Sequence, residues 1–418
     1  MPSRLLKQAL RLLPLHLGEG RGEGQAVPRA VGRRSCVAAL SVLLLSGCDR
    51  PRLVEISERG GGAYEASLAR LGDGWAVAWH DTRDGHPEIY ARLLDVNGHP
   101  TGPPRRLTDT PNFSYEPQIA AAGDDELVVA WYTVSASGAS VTHIGAWSLA
   151  RDAGPRWVRA LSHPARRGRN VIVRVENHRL FCAWIEKGAD DRDAAIWAQW
   201  LDRDGRPLSP PQRLADAGPM TWNLNAAVDG DGRPWVVFDA TAGTRTDEIF
   251  LVGADDASAS AVRLTDDDGV ASKYPDLAFG SDTAAVTWFD ERDGNREVYL
   301  AVAPFSQLRD RFEAHARRVT ATAGASIGAY VAWNSGRVGL VWSDDTDGEA
   351  EVYFQAFDAT GAAVNTAERL TNNPTASLIP AIQPLGDGFA LVWNEDVVEE
   401  RGNHRSGGRS DIVFATVP

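Results

Sequence analysis

The sequence has 418 residues, 43% of them apolar, with 40 Gly and 23 Pro, an ordinary globular apolar share with a turn-rich character. Its formal net charge of −13 disfavours nucleic acid and other anionic partners and tolerates basic partners or divalent cations. No apolar run is long enough to predict a transmembrane helix.

The chain begins with a targeting segment. Arg33 and Arg34 precede the apolar run Val37 to Leu45, which is too short to span a bilayer, and Leu45-Ser46-Gly47-Cys48 follows. Small residues before a cysteine at that place resemble the lipobox of bacterial lipoproteins. The resemblance implies cleavage before Cys48, acylation of its thiol, and a lipid-anchored chain in the bacterial envelope. The residues upstream make either an unusually long signal or a translation start nearer Val27 or Val31. We therefore divide the chain into a signal segment (1–47), a lipidated tether (48–52) and a folded domain (53–418). Residues 1–47 hold seven Lys/Arg and two Asp/Glu, so a chain starting at Cys48 has 36 basic and 54 acidic residues, a net charge of −18. Of the three cysteines, only Cys182 remains, inside Leu180-Phe181-Cys182-Ala183-Trp184, where it reads as a small buried hydrophobe.

Beyond the tether the sequence repeats. Apolar runs ending in an aromatic recur at Trp79, Trp131, Trp184, Phe238, Trp288, Trp342 and Trp393, at steps of 52, 53, 54, 50, 54 and 51 residues. Each unit carries four strand signals: a short first strand such as Gln118-Ile119-Ala120, the aromatic-ended strand, a third such as Glu88-Ile89-Tyr90, and a fourth ending in Arg106-Leu107-Thr108 or its equivalents. Four antiparallel strands per unit, repeated seven times, predict an all-β, seven-bladed β-propeller. The last unit stops after its third strand, Asp411 to Ala415. The early strand Leu53-Val54-Glu55-Ile56-Ser57 is available to complete it and close the ring.

The sharpest copies of the repeat are Asp81-Thr82-Arg83-Asp84-Gly85-His86-Pro87-Glu88-Ile89-Tyr90 and Asp290-Glu291-Arg292-Asp293-Gly294-Asn295-Arg296-Glu297-Val298-Tyr299. With the later Arg-Leu-Thr, this resembles the repeat of TolB-type propellers. Here there are seven blades rather than six, no Ser-Pro before the Asp-Gly turn, and no separate α/β domain. The hairpins are also similar, more weakly, to those of sialidase-like propellers.

In a propeller the hairpin between strands two and three shares a face with the start of the next strand one. Those starts hold Tyr64, Tyr115, Trp222 and Tyr274 at a matching position, beside Glu65, Glu116, Asn170, Asn223 and Lys273. Aromatics mixed with amides and carboxylates at a channel mouth suit a glycan or protein ligand, and equally suit packing between blades. The acidic hairpins Asp81/Asp84/Glu88 and Asp344/Asp347/Glu351 suit calcium poorly, because Arg83 or Arg292 sits among such carboxylates. Their Asp residues are expected to bind turn amides and their Arg residues to brace neighbouring blades. Gly324-Ala325-Ser326-Ile327-Gly328 fits a nucleophile-elbow pattern but leads into a strand, and no zinc pattern exists among the nine His. The sequence therefore predicts a monomeric, lipid-anchored scaffold without cofactor or metal, binding an envelope protein or glycan and no nucleic acid. The alternative is a carbohydrate-active hydrolase or lyase, for which Glu65 and Glu116 are the carboxylate pair to name.

Overall fold

The computed structural model describes residues 51–58, 62–151, 153–188, 192–219, 221–255, 260–396 and 410–418, all within the compact unit Pro51–Pro418. The signal segment and Cys48 lie outside the described residues.

Seven four-stranded antiparallel sheets stand in a ring. Blade one is β2 (Ala63–Leu71), β3 (Gly74–Asp81), β4 (Glu88–Leu94) and β5 (Arg105–Arg106). Blade two is β6 (Phe113–Ala121), β7 (Glu126–Val134), β8 (Ser140–Ser148) and β9 (Trp157–Ala160). Blade three is β10 (Arg167–Glu176), β11 (Arg179–Lys187), β12 (Ala194–Asp202) and β13 (Gln212–Asp216). Blade four is β14 (Leu224–Val228), β15 (Pro234–Ala240), β16 (Glu248–Gly253) and β17 (Val262–Arg263). Blade five is β18 (Ser272–Phe279), β19 (Thr283–Asp290), β20 (Glu297–Pro304) and β21 (Ala316–Arg318), with helix α1 (Phe305–His315) inserted before the last strand. Blade six is β22 (Ser326–Asn334), β23 (Arg337–Asp344), β24 (Glu351–Asp358) and β25 (Glu368–Arg369). Blade seven is β26 (Ser377–Leu385), β27 (Gly388–Asp396) and β28 (Ser410–Val417), completed by β1 (Val54–Glu55).

The period-two geometry of a strand builds this ring. Along β3, Trp75, Val77 and Trp79 point into a cluster with Ala390, Val392, Ile412 and Phe414 of blade seven, while Ala76 and Ala78 meet Leu127, Val129 and Trp131 of blade two. Every second strand is sandwiched in this way between two neighbours, so it reads as a continuous apolar run rather than an alternating one. The seven repeat aromatics all face the preceding blade and are at most 3% exposed. Cys182 is fully buried in one of these interfaces, and burial pushes its thiol up.

The repeat motif forms an ionic lock within each hairpin. Asp81 accepts bonds from Trp79 Nε1 and the Arg83 amide, both 2.9 Å, and from the Arg83 guanidinium at 2.6 Å. Gly85, at φ 95°, reverses the chain and donates to Thr82 O. Asp84 accepts from the Tyr90 hydroxyl and pairs with Arg106. Glu88, fully buried, accepts from the Thr108 and Ser114 hydroxyls, the Thr110 amide and Arg106. Glu297 with Thr320 and Arg318, and Glu351 with Thr371 and Arg369, repeat the arrangement. The Glu-x-Tyr and Arg-Leu-Thr halves of the motif are thus two sides of one contact. These carboxylates are taken by Arg and hydroxyl donors. Among the described residues no group of acids, His or Cys is placed to hold a metal ion.

Three expectations are corrected. The first strands are eight to ten residues long in six blades, not short. A bulge interrupts their alternation and hides their outer halves from a pattern search. Arg292 does not brace a neighbouring blade: it pairs with Asp290 and with Glu313 of α1 in its own blade. Arg83 does, pairing with Asp81 of its own hairpin and with Glu58 just beyond the closing strand of blade seven. Finally, α1 replaces the turn expected before the fourth strand of blade five. Its Leu308 and Phe312, one helical turn apart, are buried, with Phe312 5.0 Å from Trp288, and Phe305 packs 4.7 Å from Trp235. Ser326 of the elbow-like run is buried and bonded to Asp344 at 2.5 Å, which accounts for it structurally.

Candidate functional site: the channel mouth

The innermost strands carry one recurring distortion. In six blades the ladder slips, between Tyr64/Ser67, Tyr115/Gln118, Arg169/Ile172, Lys273/Asp276, Ile327/Tyr330 and Leu378/Ala381. One residue in each slip has positive φ: Glu65 57°, Glu116 51°, Asn170 42°, Tyr274 56°, Gly328 61° and Ile379 53°. Left-handed backbone costs an L-residue about 1–2 kcal/mol, and bulges re-aim side chains beside functional sites. Only blade six relieves that cost with glycine. Blade four has no slip, and there the buried Asp239 carboxylate takes the Trp222 and Asn223 amides at 3.0 Å each.

The slips place the predicted residues and correct their alignment. Tyr64 pairs with His80, Tyr115 with Tyr132, and Lys273 with Phe289. Lys273 therefore occupies the tyrosine position, and Tyr274 the position of Glu65 and Glu116. Matching by aromatic identity shifted blade five by one residue.

One side of the mouth belongs to blades one to three. Glu65 Oε2 lies 3.3 Å from His80 Nδ1, and the Glu65 amide donates to Asn394 across the ring closure. The Tyr64 and His80 rings stack at 5.6 Å, Tyr115 meets His80 edge-on at 5.2 Å, and Tyr115 lies 5.8 Å from Tyr132. The Tyr132 hydroxyl donates to Glu116 Oε1 at 2.9 Å, and Arg169 stands 5.7 Å over the Tyr132 ring. Burial, followed by the charge on Glu65, pushes the Glu116 carboxyl up to about 8 against the opposing effects of Tyr132 and Arg169. Asn170 takes the third bulge.

The other side belongs to blades three to five. Trp222 and Tyr274 are 37% and 38% exposed, unusual for rings of that size. Lys187 Nζ sits 3.9 Å over Trp222, and Tyr274 stacks on Phe289 at 5.5 Å. Asp239 also binds the Asn223 side chain at 3.0 Å and the Tyr274 amide at 3.2 Å. Lys273 pairs with Asp247 at 2.7 Å. Burial, followed by the Asp239 charge, pushes the Tyr274 hydroxyl up to about 12. Deeper in the inner strands, Arg174 binds Ala226 O and Asn225 Oδ1, and Asp276 caps the Leu277 and Val331 amides.

Sequence reading missed His80, Tyr132, Asp239 and Asn394. Each directly follows its blade's repeat aromatic, so one column of the repeat writes the chemistry of the mouth. Arg169 was missed because the bulge register was not legible.

No protein-family model matches the sequence, and no curated protein matches it. Solved structures do. A protein of unknown function from Dyadobacter fermentans is similar at TM-score 0.52 and 11% identity, over 88% of this chain and 99% of that one. The phage phi92 endosialidase is similar at TM-score 0.51 and 8% identity, over 88% and 69%. A GH93 α-L-arabinofuranosidase of Fusarium graminearum is at TM-score 0.49 and 11% identity, over 88% and 97%. At these identities the likeness shows the fold alone.

Proposed function

We propose that this chain is a glycan-binding β-propeller of the bacterial envelope, tethered through lipid on Cys48 and holding a saccharide at its channel mouth. The observation that carries the reading is the pair of exposed rings, Trp222 and Tyr274, at the same ends of the inner strands that carry Glu65, Glu116 and Asn170. Sugars offer C–H faces to aromatic rings and hydroxyls to carboxylates and amides, which is the composition found here. TolB-like docking of an envelope protein rests on the repeat motif, and that motif is occupied by the blade lock.

Trp222→Ala and Tyr274→Ala are each expected to weaken binding on a glycan microarray about tenfold or more, equivalent to about 1.4 kcal/mol, without change in the far-UV spectrum. Tyr115, 7% exposed and wedged among His80, Phe113 and Tyr132, is a poorer probe because its loss disturbs packing. Unchanged glycan binding by both variants sinks the assignment. The tether is checked separately: mass spectrometry of the mature chain should find an acylated N-terminal Cys48, and a chain retaining upstream residues refutes it.

A further inference from the structure

Resting on that saccharide reading, we propose that the mouth also cleaves what it binds, with Glu116 as general acid and Glu65 as general base in hydrolysis of a glycosidic bond. The argument begins with placement. The two carboxylates occupy the same register position on adjacent inner strands, where neighbouring blades carry Asn170, Tyr274, Gly328 and Ile379. Packing of the repeat therefore does not require glutamate there, and left-handed backbone disfavours it. Each carboxylate also has its own positioning group. Tyr132 donates to Glu116. His80, 1% exposed and with no aligned hydrogen bond at Nδ1, is aimed at Glu65. The exposed rings of Trp222 and Tyr274 stand at the same ends of the inner strands as the two carboxylates, where a sugar ring would be held.

The chemistry balances with water as the only co-reactant. Glu116 passes its proton to the bridging oxygen as the bond from the anomeric carbon to that oxygen breaks, and the leaving sugar departs as an alcohol. Glu65 takes a proton from water as the water oxygen bonds to the anomeric carbon. Exchange with solvent then returns the proton from Glu65 to Glu116. A carboxyl that keeps its proton up to about pH 8 is in the state an acid needs at neutral pH.

The test uses the full mature chain and the oligosaccharide it binds best on a microarray of bacterial, plant and animal glycans, with release of reducing sugar followed by mass spectrometry. The expected result is turnover with an alkaline limb near pH 8. Glu116→Gln and Glu65→Gln should each lower turnover about 10²–10⁴-fold, a far larger factor than the accompanying loss of binding. Binding of that oligosaccharide without any release overturns the hydrolytic assignment and leaves the glycan-binding reading standing. Turnover that survives in both variants overturns the choice of carboxylates. Failure to bind any glycan removes the parent reading and this one with it.

Discussion

A chain lacking residues 51–58 is expected to lose on the order of 4–6 kcal/mol of stability and to associate through blade seven. Those residues supply β1, which pairs Val54 with Phe414 and Glu55 with Val413. Ile56 is fully buried in the cluster joining blades seven and one, and its amide donates to Ile412 O at 2.7 Å. Ser57 then makes a reciprocal pair of bonds, donating to Asp411 at 3.1 Å and accepting from the Ile412 amide at 2.8 Å. Burying an isoleucine side chain is worth about 1.5–3 kcal/mol and each net hydrogen bond about 1 kcal/mol, which gives the figure. Removal also exposes β28 as an open edge, which templates pairing with another chain. Urea unfolding monitored by tryptophan fluorescence gives the loss, and light scattering gives the association. An unchanged midpoint with a monomeric chain would show that β1 merely decorates the ring. Ile56→Ala alone should cost about 2–5 kcal/mol, because the cavity it leaves is walled by Trp75 and Trp79.

The ring was legible because its cause is local and repeated. A second strand buried on both faces must be apolar throughout, and one aromatic per blade marks its end, so Trp79 to Trp393 count the blades directly. The missing fourth strand at Phe414 pointed to its own replacement at Val54. The channel mouth was only half legible. The positions were found because they precede each apolar strand, but their register depends on a backbone slip that leaves no mark in composition. Glu65, Asn170, Tyr274, Gly328 and Ile379 share one conformation and no chemistry, so no residue pattern marks the position. The same blindness hid the partners. His80 and Tyr132 reach the site only because the ladder sets them opposite Tyr64 and Tyr115. Helix α1 escaped for the opposite reason: two buried residues, Leu308 and Phe312, are too few to outweigh a strongly β context.

The blade lock gives the last expectation, and the odd blade supplies its control. Glu88→Ala removes the only carboxylate facing Arg106 from strand three and strands the hydroxyls of Thr108 and Ser114, for a cost of about 3–5 kcal/mol. Its pH dependence has a defined sign. Burial raises the Glu88 carboxyl, but bonds from Thr108, Thr110 and Ser114 outweigh it and hold the group below 4.5. The stabilisation is therefore present above the unfolded value and lost as pH falls through the folded one. Glu248 stands at the same place in blade four, bonded to Thr265 and Thr246. Arg263 there is exposed and gives it no ion pair. Burial, with Asp268 and Asp267 adding repulsion, raises this carboxyl to about 7. Its contribution runs the other way: nothing below pH 4.5, and growing destabilisation as pH rises from 4.5 to 7. Glu248→Gln should accordingly be near neutral at pH 4 and gain about 1–3 kcal/mol relative to the parent at pH 8. Glu88→Gln should lose most at pH 7 and least near pH 3. Urea midpoints across that range separate the two, and parallel pH profiles for both variants would sink the idea that the number of hydroxyl and amide donors decides the protonation of the repeat's buried glutamate. The buried glutamate of the third strand therefore works against the fold in blade four as pH rises, and for it in blade one.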